Sequence, residues 1–269
     1  MKNFKNDSTS SGLLYFTERG SGPPLLLVHG LMMSGEMFEP ALVEHFATRH
    51  RVIIPDLRGH GRSRKLPQPY DASQLASDLS HLLDHLGIGS TAVLGYSHGG
   101  AIAQQLALDD PGRCTRLVLA CTYAYNMATT REWIEDHLAL LFVRVLGLRL
   151  FASLGVSLGM QQVDKERANR LADVIRSQDL KLMLIAWRQM MLFDSRKRLA
   201  GIRCPTLVIA GSNDKGVPTH HAKMLHDGIV GSKLVIINGA DHALIWAHPG
   251  EFMRMTDEFL EVSSELSMR

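Results

Sequence analysis

Short apolar runs punctuate the chain at LLYFTE (13–18), PLLLVHG (24–30), RVIIPDL (51–57), TAVLGYS (91–97), RLVLACT (116–122), TLVIAGS (206–212) and KLVIING (233–239). Most are continuous rather than alternating, the pattern of strands covered on both faces. Helical patterns lie between several of them. DASQLASDLSHLLDHLG (71–87) places Leu75, Leu79, Leu82, Leu83 and Leu86 on one face, with Asp71 or Ser73 as N-cap. GGAIAQQLALDDP (99–111) predicts a second helix, stopped by Pro111. This alternation predicts an α/β protein with a mostly parallel sheet flanked by helices.

The rhythm breaks once. The interval between Thr122 and Thr206 is far longer than a crossover helix requires, is rich in leucine, methionine and helix formers, and has no internal repeat. Residues 125–198 are expected to form a helical cap inserted into a core made of 1–124 and 199–269. Inside the insert, LALLFVRVLGLRLFASLGVSLGM (138–160) raises the question of a membrane span. Arg144 and Arg149 would each cost roughly 2.5–3.5 kcal/mol at the centre of an inserted helix. Gly147, Gly155 and Gly159 also weaken it as one continuous rod. The expectation is an apolar lid and no membrane span.

Composition narrows the partners. The 269 residues are 45% hydrophobic and 21% charged, ordinary for a globular protein. A net charge of +2 without a basic block gives no reason to expect nucleic acid. Cys114, Cys121 and Cys204 are odd in number and lack metal-ligand spacing, which reads as reduced thiols of a cytoplasmic protein. The polar opening MKNFKNDSTSSG has no apolar h-region, so secretion is not expected.

Ligands of open parallel sheets bind beyond the carboxyl ends of the strands. Those ends carry HGLM (29–32), DLRGHGRS (56–63), Ser97, GSNDKG (211–216) and NGADH (238–242). A serine, an acid and a histidine thereby reach one rim in the order Ser97, Asp214, His242. Ser97 stands in GYSHGG, a G-x-S-x-G elbow that presents a hydroxyl at the top of a sheet. A tight turn with a capping serine is the plainer reading of those six residues alone. His242 alone reads equally as a loop histidine, and Asp214 as a turn former in SND.

Taken together, the elbow, the HG turn, DLRGHGRS, IAGSNDKGVP and GADHALIWAHP resemble the α/β-hydrolase superfamily in order and spacing, from about Leu13 to Leu260. GYSHGGAIAQQLAL is most similar to small lid-bearing esterases and 3-oxoadipate enol-lactonase-like hydrolases. The resemblance implies a cofactor-free and metal-free serine hydrolase acting on a small-molecule carboxylic ester or lactone through an acyl-enzyme. Ser97 would be the nucleophile, His242 its base, and Asp214 the acid that orients the imidazole. The backbone N–H groups of Leu31 and His98 would form the oxyanion hole. Asp241 adjoins His242 and is poorly placed to reach its ring, and Asp56 opens a segment whose family role is structural. The other family position for the acid reads ACTYAYN here, without a carboxylate.

Within the insert, Trp133, Phe142, Trp187, Met190 and Met191 are candidates to line an apolar acyl pocket, and Arg188 to meet a substrate carboxylate. Packing inside the cap, or a solvated helix face for Arg188, accounts for each of them as well. His220 and His221 are adjacent and not expected to face one site together, while His60 belongs to the DLRGHGRS turn. No H-E-x-x-H, G-x-G-x-x-G or P-loop lysine occurs, so neither metal nor nucleotide cofactor is expected. Family relatives with an aspartate at the elbow are dehalogenases and epoxide hydrolases, which the serine disfavours. Carbon–carbon bond hydrolases of aromatic ring-cleavage products carry a tryptophan after the histidine and an HGxGPG turn. Here Ala243 and HGLMMSG stand in those places. They and a slow-turnover, signal-binding relative are the rival readings.

Overall fold

The computed structural model describes residues 12–68, 70–159 and 162–261. The polar opening at 1–11 and Met160 of the apolar stretch therefore lie outside the described residues. The chain runs β1 (Phe16–Arg19), β2 (Pro24–Val28), α1 (Pro40–Ala47), β3 (Arg51–Pro55), α2 (Ala72–His85), β4 (Thr91–Tyr96), α3 (His98–Asp109) and β5 (Cys114–Ala120). Three helices follow: α4 (Thr130–Gly159), α5 (Lys165–Arg176) and α6 (Leu180–Leu192). It closes with β6 (Thr206–Gly211), α7 (Thr219–Gly228), β7 (Lys233–Ile237), α8 (Leu244–Ala247) and α9 (Pro249–Glu261).

The strands form one seven-stranded sheet in the order β1-β3-β2-β4-β5-β6-β7, all neighbours parallel except β1 on β3. All six residues of β4 and of β6 are buried, as continuous apolar runs require. LLYFTE contributes a shorter strand than expected, starting at Phe16, because only its edge position against β3 is available. Asp71, not Ser73, caps α2 by accepting from the Gln74 N–H at 2.8 Å. Chain order reverses at β2, whose neighbours are β3 and β4, so the connections leaving β2 and β4 part there and open a crevice.

The insert is pinned where it leaves and rejoins the sheet. Tyr125 and Asp194 form an antiparallel bridge, and the Ser195 N–H donates to the Ala124 carbonyl at 2.9 Å. Gln104 of α3 ties both ends down: its Nε2 donates to the Tyr123 carbonyl and its Oε1 accepts from the Ser195 hydroxyl. Within the insert, α4 packs against α5 and α6. Among the described residues, its Thr130–Gly155 stretch is the one helix long and apolar enough to cross a membrane. It breaks at Gly147 (φ 77°, ψ 172°), a conformation open to glycine, whereas Gly155 stays helical.

Candidate active site

The turn from β4 to α3 is sharp enough to force Ser97 to φ 53°, ψ −124°. The glycines around it are there for space. A Cβ on Gly95 would stand 2.5 Å from the Gly99 carbonyl oxygen, and one on Gly99 2.2 Å from that of Val28. Strain is concentrated at this rim. The three described non-glycine residues with positive φ are Met32, Ser97 and Cys121, just beyond the ends of the adjacent strands β2, β4 and β5.

Three loops converge on the serine. His242 Nε2 lies 3.2 Å from Ser97 Oγ, and His242 Nδ1 lies 2.8 Å from Asp214 Oδ2. The other oxygen of Asp214 accepts from the Gly216 and Val217 N–H groups at 2.9 and 2.7 Å, so the carboxylate is buried but satisfied. The rival acids are engaged elsewhere. Asp241 accepts from the Ala243 N–H, and Asp56 accepts from the N–H groups of Gly35 and Arg62. Tyr96, beside the serine, donates its hydroxyl to the His242 carbonyl. Burial pulls the His242 pKa down, but the Asp214 charge and hydrogen bond, with Asp241 behind them, leave it above its ordinary value. Cys121 lies against the same aspartate, and burial first, then that negative charge, pushes its thiol well up.

Behind the elbow stand three buried imidazoles. His29 donates from Nδ1 to the Gly30 carbonyl and accepts the Leu57 N–H at Nε2. His60 sets Nδ1 3.1 Å from the Arg58 carbonyl, and His98 sets Nδ1 3.0 Å from the Tyr123 hydroxyl. Burial lowers His29 to about 4 and His60 and His98 to about 3. The His98 side chain therefore packs locally, behind the site. Its backbone N–H opens α3, among the first-turn groups that a helix leaves without internal partners.

A cavity of about 730 Å³ opens over Ser97 and His242. Its apolar wall includes Leu31, Met32, Met33, Phe151, Ile175 and Trp187, and its polar side holds Gln162, Asn213 and Lys215. Of the six residues expected from the insert, the structure brings only Trp187 into this lining. Trp133 is 49% exposed and Arg188 is exposed on the outer side of α6, while Met190 and Met191 are buried in the core. Phe142 instead meets the Phe151 ring at a tilt, with centroids 6.5 Å apart. The reason is helical phase: the apolar face of α6 is wider than its pocket-facing edge, and composition cannot tell the two apart. Phe151 and Ile175 carry no sequence signal of their place in the lining, because an apolar helix residue looks the same in a pocket wall as in a core.

His220 and His221 correct another expectation. Both Nε2 atoms lie 2.9 Å from Glu132 Oε1, although the residues are adjacent. They open α7, and the single carboxylate reaches down between them from the first turn of α4. Glu132 also closes a capping box with Thr129. The cluster joins the insert to the core.

Comparison with known proteins identifies the family of this fold. Residues 23–154 match the profile of the alpha/beta hydrolase fold family. RutD of Azorhizobium caulinodans, described as a carbamate hydrolase, is 30% identical over 249 residues, covering 90% of this chain and 92% of that protein. A thermophilic esterase from Thermogutta terrifontis superposes with a TM-score of 0.83 at 27% identity, covering 97% of this chain and 98% of the esterase. The enol-lactonase from Burkholderia xenovorans LB400 gives 0.81 at 25% identity, covering 92% and 96%. The chain belongs to the alpha/beta hydrolase family and is a hydrolase of that class.

Proposed function

We propose that the protein hydrolyses a carboxylic ester or lactone through an acyl-enzyme on Ser97. The observation that carries this reading is the relay Ser97 Oγ–His242 Nε2–Asp214 at 3.2 and 2.8 Å beneath a largely apolar cavity. A free serine hydroxyl is a weak nucleophile at neutral pH and needs a base within reach. His242 takes the Ser97 proton as Oγ attacks the carbonyl carbon, then returns it to the departing alkoxide. Asp214 holds the proton-bearing Nδ1 in place and stabilises the imidazolium. The developing oxyanion is received by the N–H groups of Leu31 and His98. Water then repeats the sequence on the acyl-enzyme and releases the acid.

Residues 125–198 act as a cap over this site and supply Phe151, Ile175 and Trp187 to the acyl wall. The buried indole N–H of Trp187 has no partner among the described residues, so an oxygen on the acyl portion would satisfy it. The free thiols of Cys114, Cys121 and Cys204 suit the reducing cytoplasm. The esterase and enol-lactonase likenesses favour this substrate class over carbon–carbon cleavage, as do Ala243 and HGLMMSG.

A fluorophosphonate probe followed by mass spectrometry tests the mechanism: one adduct is expected, on Ser97, and none in Ser97→Ala. Short-chain p-nitrophenyl esters and small lactones, assayed beside a 2-hydroxy-6-oxo-dienoate, test the substrate class. A dienoate kcat/KM above every ester and lactone overturns it.

A further inference from the structure

We infer that the outer face of α4 docks on an anionic lipid bilayer, lying in the headgroup region without crossing it. Eight of the eleven exposed large apolar side chains among the described residues belong to this one helix, so the exposure is a patch and not scatter. Ile134, Leu138, Leu141 and Val145 recur at helical spacing and are 46%, 59%, 55% and 68% exposed. Beyond the Gly147 break, Leu150 and Leu154 continue the patch, and Trp133 stands at its start.

The opposite face of α4 is committed to the protein. Val143, Leu148 and Ala152 are buried, and Phe151 and Gly155 line the cavity over Ser97. A helix broken at its middle and buried along one side suits the interface plane, with its free side several ångströms into the lipid.

Charge selects the occupant. Arg144 and Arg149 are exposed beside the patch, and neither has an ion pair among the described residues. No acidic residue occurs from His137 to Gly159. Lipid phosphates supply the missing anions while the arginine stems lie along the apolar surface. A second copy docked through the same face would instead gather four guanidinium groups around an apolar seam where Glu135, beside its start, is already paired with Arg131.

Flotation of the full chain with phosphatidylcholine vesicles containing phosphatidylglycerol, against pure phosphatidylcholine vesicles, tests this. Binding is expected to require phosphatidylglycerol and to shift tryptophan emission to the blue. Trp133→Phe removes that shift, because Trp187 and Trp246 are already buried. Replacing both Arg144 and Arg149 by Gln weakens binding roughly 30-fold, about 5-fold per arginine. Leu141→Asp abolishes it, with thermal unfolding unchanged in each variant because these side chains are exposed. Absent or phosphatidylglycerol-independent flotation overturns the inference. So does a dimer in light scattering that Leu141→Asp splits, which assigns the face to a second copy. Emission from Trp133 that is already blue without vesicles, with no flotation, overturns it as well and assigns the cover to the chain's own ends.

Discussion

His242 turns Nδ1 to within 2.8 Å of Asp214 Oδ2, while the carboxylate next to it in sequence, Asp241, turns away to the Ala243 N–H. The aspartate side chain is fully enclosed, so its charge acts on the imidazole with little screening. His242 is held above its ordinary pKa of about 6.5, and it is the neutral ring that accepts the serine proton. The kcat/KM profile should therefore climb through a limb above pH 6.5 and fall away on the acid side. Asp214→Asn removes the charge that most raises His242, so the limb should move down while the rate drops on the order of 10⁴-fold. Asp241→Asn and Asp56→Asn should each retain far more activity. A harmless Asp214→Asn would reassign the acid.

The elbow makes a separate prediction. In Gly99→Ala the new methyl meets the Val28 and His29 carbonyl oxygens at 2.2 and 2.5 Å, and backbone cannot rotate aside as a flexible side chain does. The variant should lose about 1–3 kcal/mol of stability. It should also lose about 100-fold in rate, since Ser97 is displaced with the strand–helix turn. Gly112→Ala, at an exposed turn with only a distant contact, should change neither. Equal melting temperatures for the two variants would refute this account of the glycines.

Acid stability should follow the three imidazoles behind the elbow. Their folded pKa values, about 4 for His29 and about 3 for His60 and His98, lie below the unfolded value of about 6.5. Above pH 6.5 neither state protonates them. Below it the unfolded chain takes up as many as three protons that the native state refuses. Stability should then fall by up to roughly 4 kcal/mol per pH unit near pH 5. Denaturant midpoints measured from pH 7 to pH 4.5 check this, and a flat profile would show that these rings protonate in the native state.

Glu132 joins α4 to α7 through His220 and His221. Glu132→Gln keeps a side chain able to accept from the Thr129 N–H but removes the charge shared by the two histidines. The expected loss is about 2 kcal/mol, a few degrees in Tm, with Ser97 still open to a fluorophosphonate. Chelator treatment of the wild type should leave Tm and rate unchanged, because the contacts join side chains directly. A chelator-induced fall in Tm would mean that a metal ion bridges the three.

The continuous apolar runs were enough to read a parallel sheet, because a strand buried on both faces has no polar residue to spare, as β4 and β6 show. GYSHGG was legible for a related reason: a backbone that must turn within one residue of a strand admits glycine and little else. The order Ser97, Asp214, His242 followed from strand ends meeting one rim. Asp214 is preferred over Asp241 and Asp56 already in the sequence, from the adjacency of Asp241 to the histidine and the family position of Asp56; what only the loops in space supply is the different backbone donors that each of those acids satisfies. The pocket wall was also hidden, because Phe151 and Met190 are equivalent as apolar helix residues until packing sets their rotation. His220 and His221 could not be read from spacing either, because the carboxylate between them comes from a helix 88 and 89 residues away. Local sequence fixes what the backbone can do within a turn or two. Which side chains meet across the molecule is decided when the sheet order and the docking of the insert bring distant segments together.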